Sequence, residues 1–143
     1  MRRTFGIAAV VAALALLTAF GPGARQDWSP PSRDMPQMPA AAELSGGWRG
    51  SLAAWFRGTD ESVENIRAGG EGGGARPRMV RFMGGSRPVA AWTDRNGDGR
   101  ADLVEVYRGG AVAYQLIDAD YDGSANVLRV YDASGALARE NRY

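Results

Sequence analysis

The chain contains no cysteine, no histidine and, among its 17 basic residues, no lysine. Each absence removes a class of chemistry. Without cysteine there are no disulfides, thiol nucleophiles or thiolate metal ligands. Without histidine there is no imidazole base and no Cys/His zinc centre. Any metal this chain holds must be held by oxygen, from carboxylate, amide, hydroxyl or backbone carbonyl. The arginine-only positive charge, beside abundant Ala and Gly, reads as the coding bias of a GC-rich bacterial genome. The 17 arginines face 16 acidic residues, for a formal net charge of +1. No basic patch emerges to supply phosphate contacts, so nucleic acid is not an expected partner.

Long apolar runs are also missing. The longest, Ile7 to Phe20, falls short of the roughly 20 residues that span a bilayer as a helix. Met1-Arg2-Arg3 precedes it, and the small residues Ala19, Gly21, Gly23 and Ala24 follow it. This is the form of a secretory signal, expected over residues 1–24, with cleavage near Ala24 and a periplasmic or secreted product. An uncleaved N-terminal anchor stays open, and no other membrane contact is expected. A lipoprotein anchor is excluded, since it needs a cysteine. Residues 25–43, with Trp28-Ser29-Pro30-Pro31-Ser32 and Met35-Pro36-Gln37-Met38-Pro39, are too rich in proline for helix or sheet interior. They are expected to be a disordered or polyproline-like tether.

The folded part is expected over residues 44–143. Its start is the least patterned. A turn at Gly46–Gly50 leaves Trp48 available for the core. The spacing of Leu52, Trp55 and Phe56 suits a short helix and equally a strand with Trp55 and Phe56 on opposite faces; by analogy with the later repeats, Ser51 to Arg57 is expected as a strand. Asp60 is expected to cap a short helix reaching Ala68, and Gly69–Gly74 to form a flexible loop.

After Gly74 the chain repeats. Met79-Val80-Arg81-Phe82-Met83, Leu103-Val104-Glu105-Val106-Tyr107 and Val127-Leu128-Arg129-Val130-Tyr131 superpose at steps of 24 residues. Each alternates apolar and polar, each meets a Gly-containing turn, and each turn leads to a return strand: Pro88–Trp92, Ala111–Ile117 and Ala136–Asn141. The fold class predicted is mainly β, an antiparallel meander of repeated hairpins joined by acidic loops. The two-residue period gives one apolar face of Val80, Phe82, Val104, Val106, Leu128 and Val130. On the other face Arg81, Glu105 and Arg129 are expected to form a cross-strand charge ladder, if those strands are neighbours.

The acidic loops carry the chemistry. Asp94-Arg95-Asn96-Gly97-Asp98-Gly99-Arg100-Ala101-Asp102 places side-chain oxygens at alternate residues before a glycine. In a twelve-position calcium loop, Asp94, Asn96 and Asp98 take positions 1, 3 and 5. The Arg100 carbonyl takes position 7, Asp102 position 9 and Glu105 position 12. The second loop supplies Asp118, Asp120, Asp122, the Ser124 carbonyl and Asn126 in the same order. Its twelfth residue is Arg129, so that site is expected to be the weaker. Asn96 and Asn126 are neutral ligands, and Arg95 and Arg100 dilute the field, so calcium affinity is expected near 10⁻⁴ to 10⁻³ M, roughly that of extracellular modules.

These loops resemble the DxDxDG-type calcium loops of bacterial secreted repeat proteins, and of EF-hand, dockerin and thrombospondin type 3 modules. EF-hands and dockerins continue into a helix, whereas Leu103–Tyr107 is β-patterned and Gly109-Gly110 follows. The resemblance carries no established activity; the two loops in their repeat lead us to expect a Ca²⁺-binding β-repeat module with a structural or binding role, and no enzyme, since no carboxylate outside the loops has an evident partner or cleft. Its partner would be a protein or glycan at the cell envelope. Two alternatives stand beside it. One is a small hydrolase recruiting Asp60, Glu61, Glu64 or Glu71. The other is a metal-free β module whose acidic loops are ordinary turns. Trp92, Tyr107, Tyr114 and Tyr131 could present rings to a ligand or stack within the sheet. The open sheet edges leave room for self-association.

Overall fold

The computed structural model describes residues 27–46, 52–72 and 74–143. The expected signal segment, its cleavage point and Trp48 lie outside them. Among the described residues no helix is long and apolar enough to cross a membrane.

The repeats form the expected meander. Strands β1 (Ile66–Glu71), β2 (Met79–Gly84), β3 (Arg87–Thr93), β4 (Leu103–Arg108), β5 (Ala111–Ile117), β6 (Val127–Tyr131) and β7 (Leu137–Arg142) make one antiparallel sheet in chain order. A row of facing residues, Val80, Trp92, Val104, Leu116 and Leu128, crosses the middle of the sheet. Beside it runs Phe82, Ala90, Val106, Tyr114 and Val130. These rows form the core face, and all six apolar residues expected there join the hydrophobic cluster. A register shift recurs at Phe82/Met83, Val106/Tyr107 and Val130/Tyr131, the same place in each unit. Between β4 and β5 the turn residues Gly109 and Gly110 both have positive φ, 59° and 85°, as a tight type I′ hairpin requires.

On the opposite face the Arg-Glu-Arg ladder does not form. Strands β3 and β5 intervene, so Glu105 faces Ala91 and Gln115. Arg81 pairs instead with Glu71 at 3.0 Å and Arg129 with Glu140 at 2.8 Å.

The segment before β2 differs from expectation. Ala53–Phe56 is a short 3₁₀ helix, not a strand. The reason lies in Trp55 and Phe56. Adjacent residues in a strand point to opposite faces, whereas one helical turn buries both on the same side. Phe56 then meets Phe82 at 4.9 Å and Trp55 meets Trp92 at 5.8 Å. The helix expected to run to Ala68 shrinks to Val63–Asn65, and Gly69, Gly70 and Glu71 are strand rather than loop, paired with β2.

The largest difference is the Pro-rich stretch. From Trp28 onward it is a packed strap, so the folded unit begins well before residue 44. Trp28, Met35 and Met38 are buried in the core, Met38 completely. The Trp28 indole N–H donates to the Trp55 carbonyl at 2.8 Å. After the strap comes a short helix, α1 (Ala41–Gly46). Proline bars a segment from sheet interior because it lacks an N–H, but the strap places Pro36 where an acceptor is needed. Met35 and Met38 donate to the carbonyls of Gly123 and Gly99, and Pro36 accepts from Ala101.

Candidate metal centre

Both acidic loops join strands at the same end of the sheet, and they are built alike. In the first, Asp94 is buried and accepts from the N–H groups of Gly97 at 2.6 Å and Gly99 at 2.9 Å. Asp102, also buried, accepts from Arg95 at 2.6 Å and Asn96 at 3.2 Å. Asp98 accepts from the Arg100 N–H at 2.8 Å. The second loop repeats this part by part. Asp118 accepts from Gly123 at 2.8 Å, Asp122 from Ser124 at 2.8 Å, and Asn126 from Ala119 at 2.6 Å and Asp120 at 3.3 Å. Asn126 therefore does for the second loop what Asp102 does for the first. Carboxylate-to-N–H bonds of this kind curl a short segment into a ring with its oxygens inward.

One oxygen from each of Asp94, Asp98 and Asp102 lies within 4.8 Å of the others, and the same is true of Asp118, Asp120 and Asp122. Glu105 is not brought to this set. Its carboxylate lies on the sheet face, accepting from Gln115 at 2.9 Å and from the Tyr107 hydroxyl at 3.3 Å. A strand in place of an EF-hand's exit helix carries position 12 away from the loop. Asn96 turns inward upon its own loop, its side-chain oxygen accepting from the Asp98 N–H at 3.1 Å and its amide donating to Asp98 at 3.3 Å.

The loops differ at one point. Asp94 has both oxygens paired to backbone donors, whereas Oδ1 of Asp118 is buried with no hydrogen-bond partner. The counterpart of Gly97 in this loop is Tyr121. Both stand in the left-handed region, at 61° and 81°, and Tyr121 is the one non-glycine residue there among those described. Asp118 as a whole is 1 % exposed. Burial pushes its carboxyl above the usual range and the neighbouring Asp120 side chain adds to this, while the backbone N–H groups of Gly123, Tyr121 and Asp122 act the other way. Asp120 sits below the usual range. Desolvation would raise it, but contacts from Asp118, the Asp122 N–H and Asn126 outweigh that. An unpaired buried oxygen costs about 1–3 kcal/mol, and it belongs to a carboxylate gathered with those of Asp120 and Asp122.

The carboxylates of the hydrolase alternative are engaged locally. Asp60 accepts from the Gly109 N–H at 3.0 Å, Glu61 from Ser62 and Asn65, and Glu71 holds Arg81. Glu64 lies in the short 3₁₀ helix Val63–Asn65. Trp92 and Tyr114 are buried in the core, while Tyr107 and Tyr131 are half-buried, their hydroxyls bonded to Glu105 and Gln115.

Sequence reasoning missed Arg76, Arg78 and the strap as parts of this centre. Arg76 donates to the Met38 carbonyl beside Gly99, and Arg100, one repeat later, donates to the Met35 carbonyl at 3.2 Å beside Gly123. Arg78 donates to the carbonyls of Asp94 at 3.0 Å and Arg95 at 2.6 Å, bracing the first loop's entry. The spacing of Arg76 and Arg100 by one repeat was a usable signal, as was the three-residue step of Met-Pro in the strap.

No family model, no curated protein and no solved structure matches the chain. The functional reading therefore rests on the geometry of the two loops.

Proposed function

We propose that the chain is a calcium-binding β-meander module, each acidic loop taking one cation. The observation that carries this is the buried, unpaired Oδ1 of Asp118, on a carboxylate with an oxygen within 4.8 Å of oxygens of Asp120 and Asp122. A cation bound at about 2.3–2.6 Å accommodates oxygens at that separation and supplies the missing partner. An all-oxygen donor set without His or Cys favours a hard cation over zinc or copper. Asp118, Asp120, Asp122 and the Ser124 carbonyl would hold the ion in the second loop. Asp94, Asp98, Asp102 and the Arg100 carbonyl would hold it in the first. Asn96, Asn126 and Glu105 would act outside the direct ligands. The order of the sites reverses the one expected from position 12: the second loop, with its unsatisfied carboxylate, is the tighter. The cation's role is structural, locking the loop end of a secreted or periplasmic sheet whose other face meets a protein or glycan at the envelope.

The test is calorimetric titration of the full chain with Ca²⁺, with Mg²⁺ as the comparison. Binding near 10⁻⁴ to 10⁻³ M is expected, roughly the range of extracellular modules. Asp118→Ala should abolish the tighter phase. Absence of any heat at millimolar Ca²⁺ would sink the reading.

A further inference from the structure

The strap meets the loops through a numerical match. Met35 donates to Gly123, Met38 to Gly99 and Ala41 to Ala75, at 2.9, 2.9 and 3.3 Å. Three residues of strap thus correspond to 24 residues of sheet. Returning bonds run from Ala125 to Arg33 and from Ala101 to Pro36, each at 2.8–2.9 Å. The third return bond would need an N–H at residue 77, which is proline. The spacing has a metric cause. An extended, polyproline-like chain advances about 3.1 Å per residue, so three residues cover about 9.3 Å. Two strand spacings, the distance between successive loops, come to about 9.4–9.8 Å.

The bridging residues are Asp34 opposite Ser124 and Gln37 opposite Arg100. Ser124 and Arg100 are the seventh residues of their loops, the ones whose carbonyls serve the cation in the reading above. Along an extended chain the N–H and C=O of one residue point the same way, and those of its neighbours the opposite way. The strap takes the Gly99 carbonyl and Ala101 N–H on one side. The Arg100 N–H points to the other side, onto Asp98, as the Ser124 N–H does onto Asp122. The carbonyls of Arg100 and Ser124 are thereby turned toward the carboxylates.

We infer that the strap and the two cation sites are one coupled unit: the docked strap aims the Arg100 and Ser124 carbonyls at the cations, and cation binding in turn tightens the strap. This rests on the calcium reading. Three carboxylates drawn together repel, so without the ion each loop tends to open, and opening displaces the Gly99, Ala101, Gly123 and Ala125 groups that the strap docks on. Linkage makes the effect reciprocal. Arg100 carries the coupling from loop to loop, since its backbone belongs to the first site while its guanidinium holds Met35 beside the second. The Asp102 carbonyl, accepting from the Asp118 N–H at 2.8 Å, is a second connection.

The test is amide hydrogen exchange on the full chain, in chelator and in saturating Ca²⁺, with calcium titration of wild type and Met35→Pro. Coupling predicts that Met35, Met38, Ala101 and Ala125 exchange several-fold more slowly with Ca²⁺. Met35→Pro removes one N–H and should weaken binding at the second loop by about two- to tenfold, the equivalent of one backbone hydrogen bond. If Met35→Pro does not fold, the wild-type exchange decides alone. Calcium binding with protection confined to the loops overturns the coupling and leaves the calcium reading standing. No calcium binding overturns both.

Discussion

Replacing Asp118 with Asn separates a metal loop from an acidic turn, because the two make opposite forecasts. Asn keeps an oxygen to accept the Gly123 N–H, now at 2.8 Å from Asp118. It removes the charge and can put an amide donor where the unpaired Oδ1 now sits. In chelator, relief of an unsatisfied buried acceptor is worth about 1–3 kcal/mol, so Asp118→Asn should match or exceed wild type. In calcium the order changes. With a dissociation constant of about 10⁻⁴ to 10⁻³ M, about 10 mM Ca²⁺ contributes roughly 1.4–2.7 kcal/mol per site. At roughly 4 °C per kcal/mol for a chain of this size, wild type gains about 6–11 °C in Tm from the second loop. Asp118→Asn should lose that component and keep only the first loop's. Scanning calorimetry of both proteins, each with and without calcium, reads all four values. An equal calcium shift in both proteins would refute the reasoning. So would a large loss in chelator for Asp118→Asn, which would make the carboxylate a turn acceptor and nothing more.

Other perturbations address the fold around the site. Met38→Ala should destabilise by about 2–5 kcal/mol in urea unfolding, as for a core methionine, although Met38 lies in a proline-rich stretch. Tyr121→Gly should not destabilise and should gain up to about 1 kcal/mol, because φ of 61° strains a tyrosine and suits glycine. Gly123→Ala should lose stability in the same assay, since φ is 90° and an added Cβ would lie 3.3 Å from Arg100 Cδ. The Arg129 guanidinium holds Glu140 below the usual carboxylate range. A depressed pKa contributes stability above the unfolded-state pKa and loses it as pH falls through the folded one. Glu140→Gln should therefore flatten part of the acid limb of a stability–pH curve, and an unchanged limb would count against the pairing.

The repeat, the strand faces and the acidic loops were legible in the sequence because they depend on local rules. Side chains alternate with a period of two, Gly109-Gly110 admits the positive φ of a tight turn, and Asp-x-Asn-x-Asp-Gly curls upon its own N–H groups. A slip of one residue would expose Val104 and Val106 together, so the facing of each strand was settled by pattern, while the pairing partners were not. The strap, the 3₁₀ turn and the partners of Glu105 were decided by tertiary structure. Proline content argues against a strand, and the three-residue Met-Pro step marks a periodicity without saying that Met35 and Met38 will meet glycine carbonyls some 60 to 90 residues away. Trp55 and Phe56 enter a helical turn because one sheet face needed covering from one side. The difference between the two loops also lay beyond the sequence. Tyr121 stands in glycine's conformation where the first loop has Gly97, one buried oxygen of Asp118 has no hydrogen-bond partner, and only the folded chain gathers Asp118 with Asp120 and Asp122.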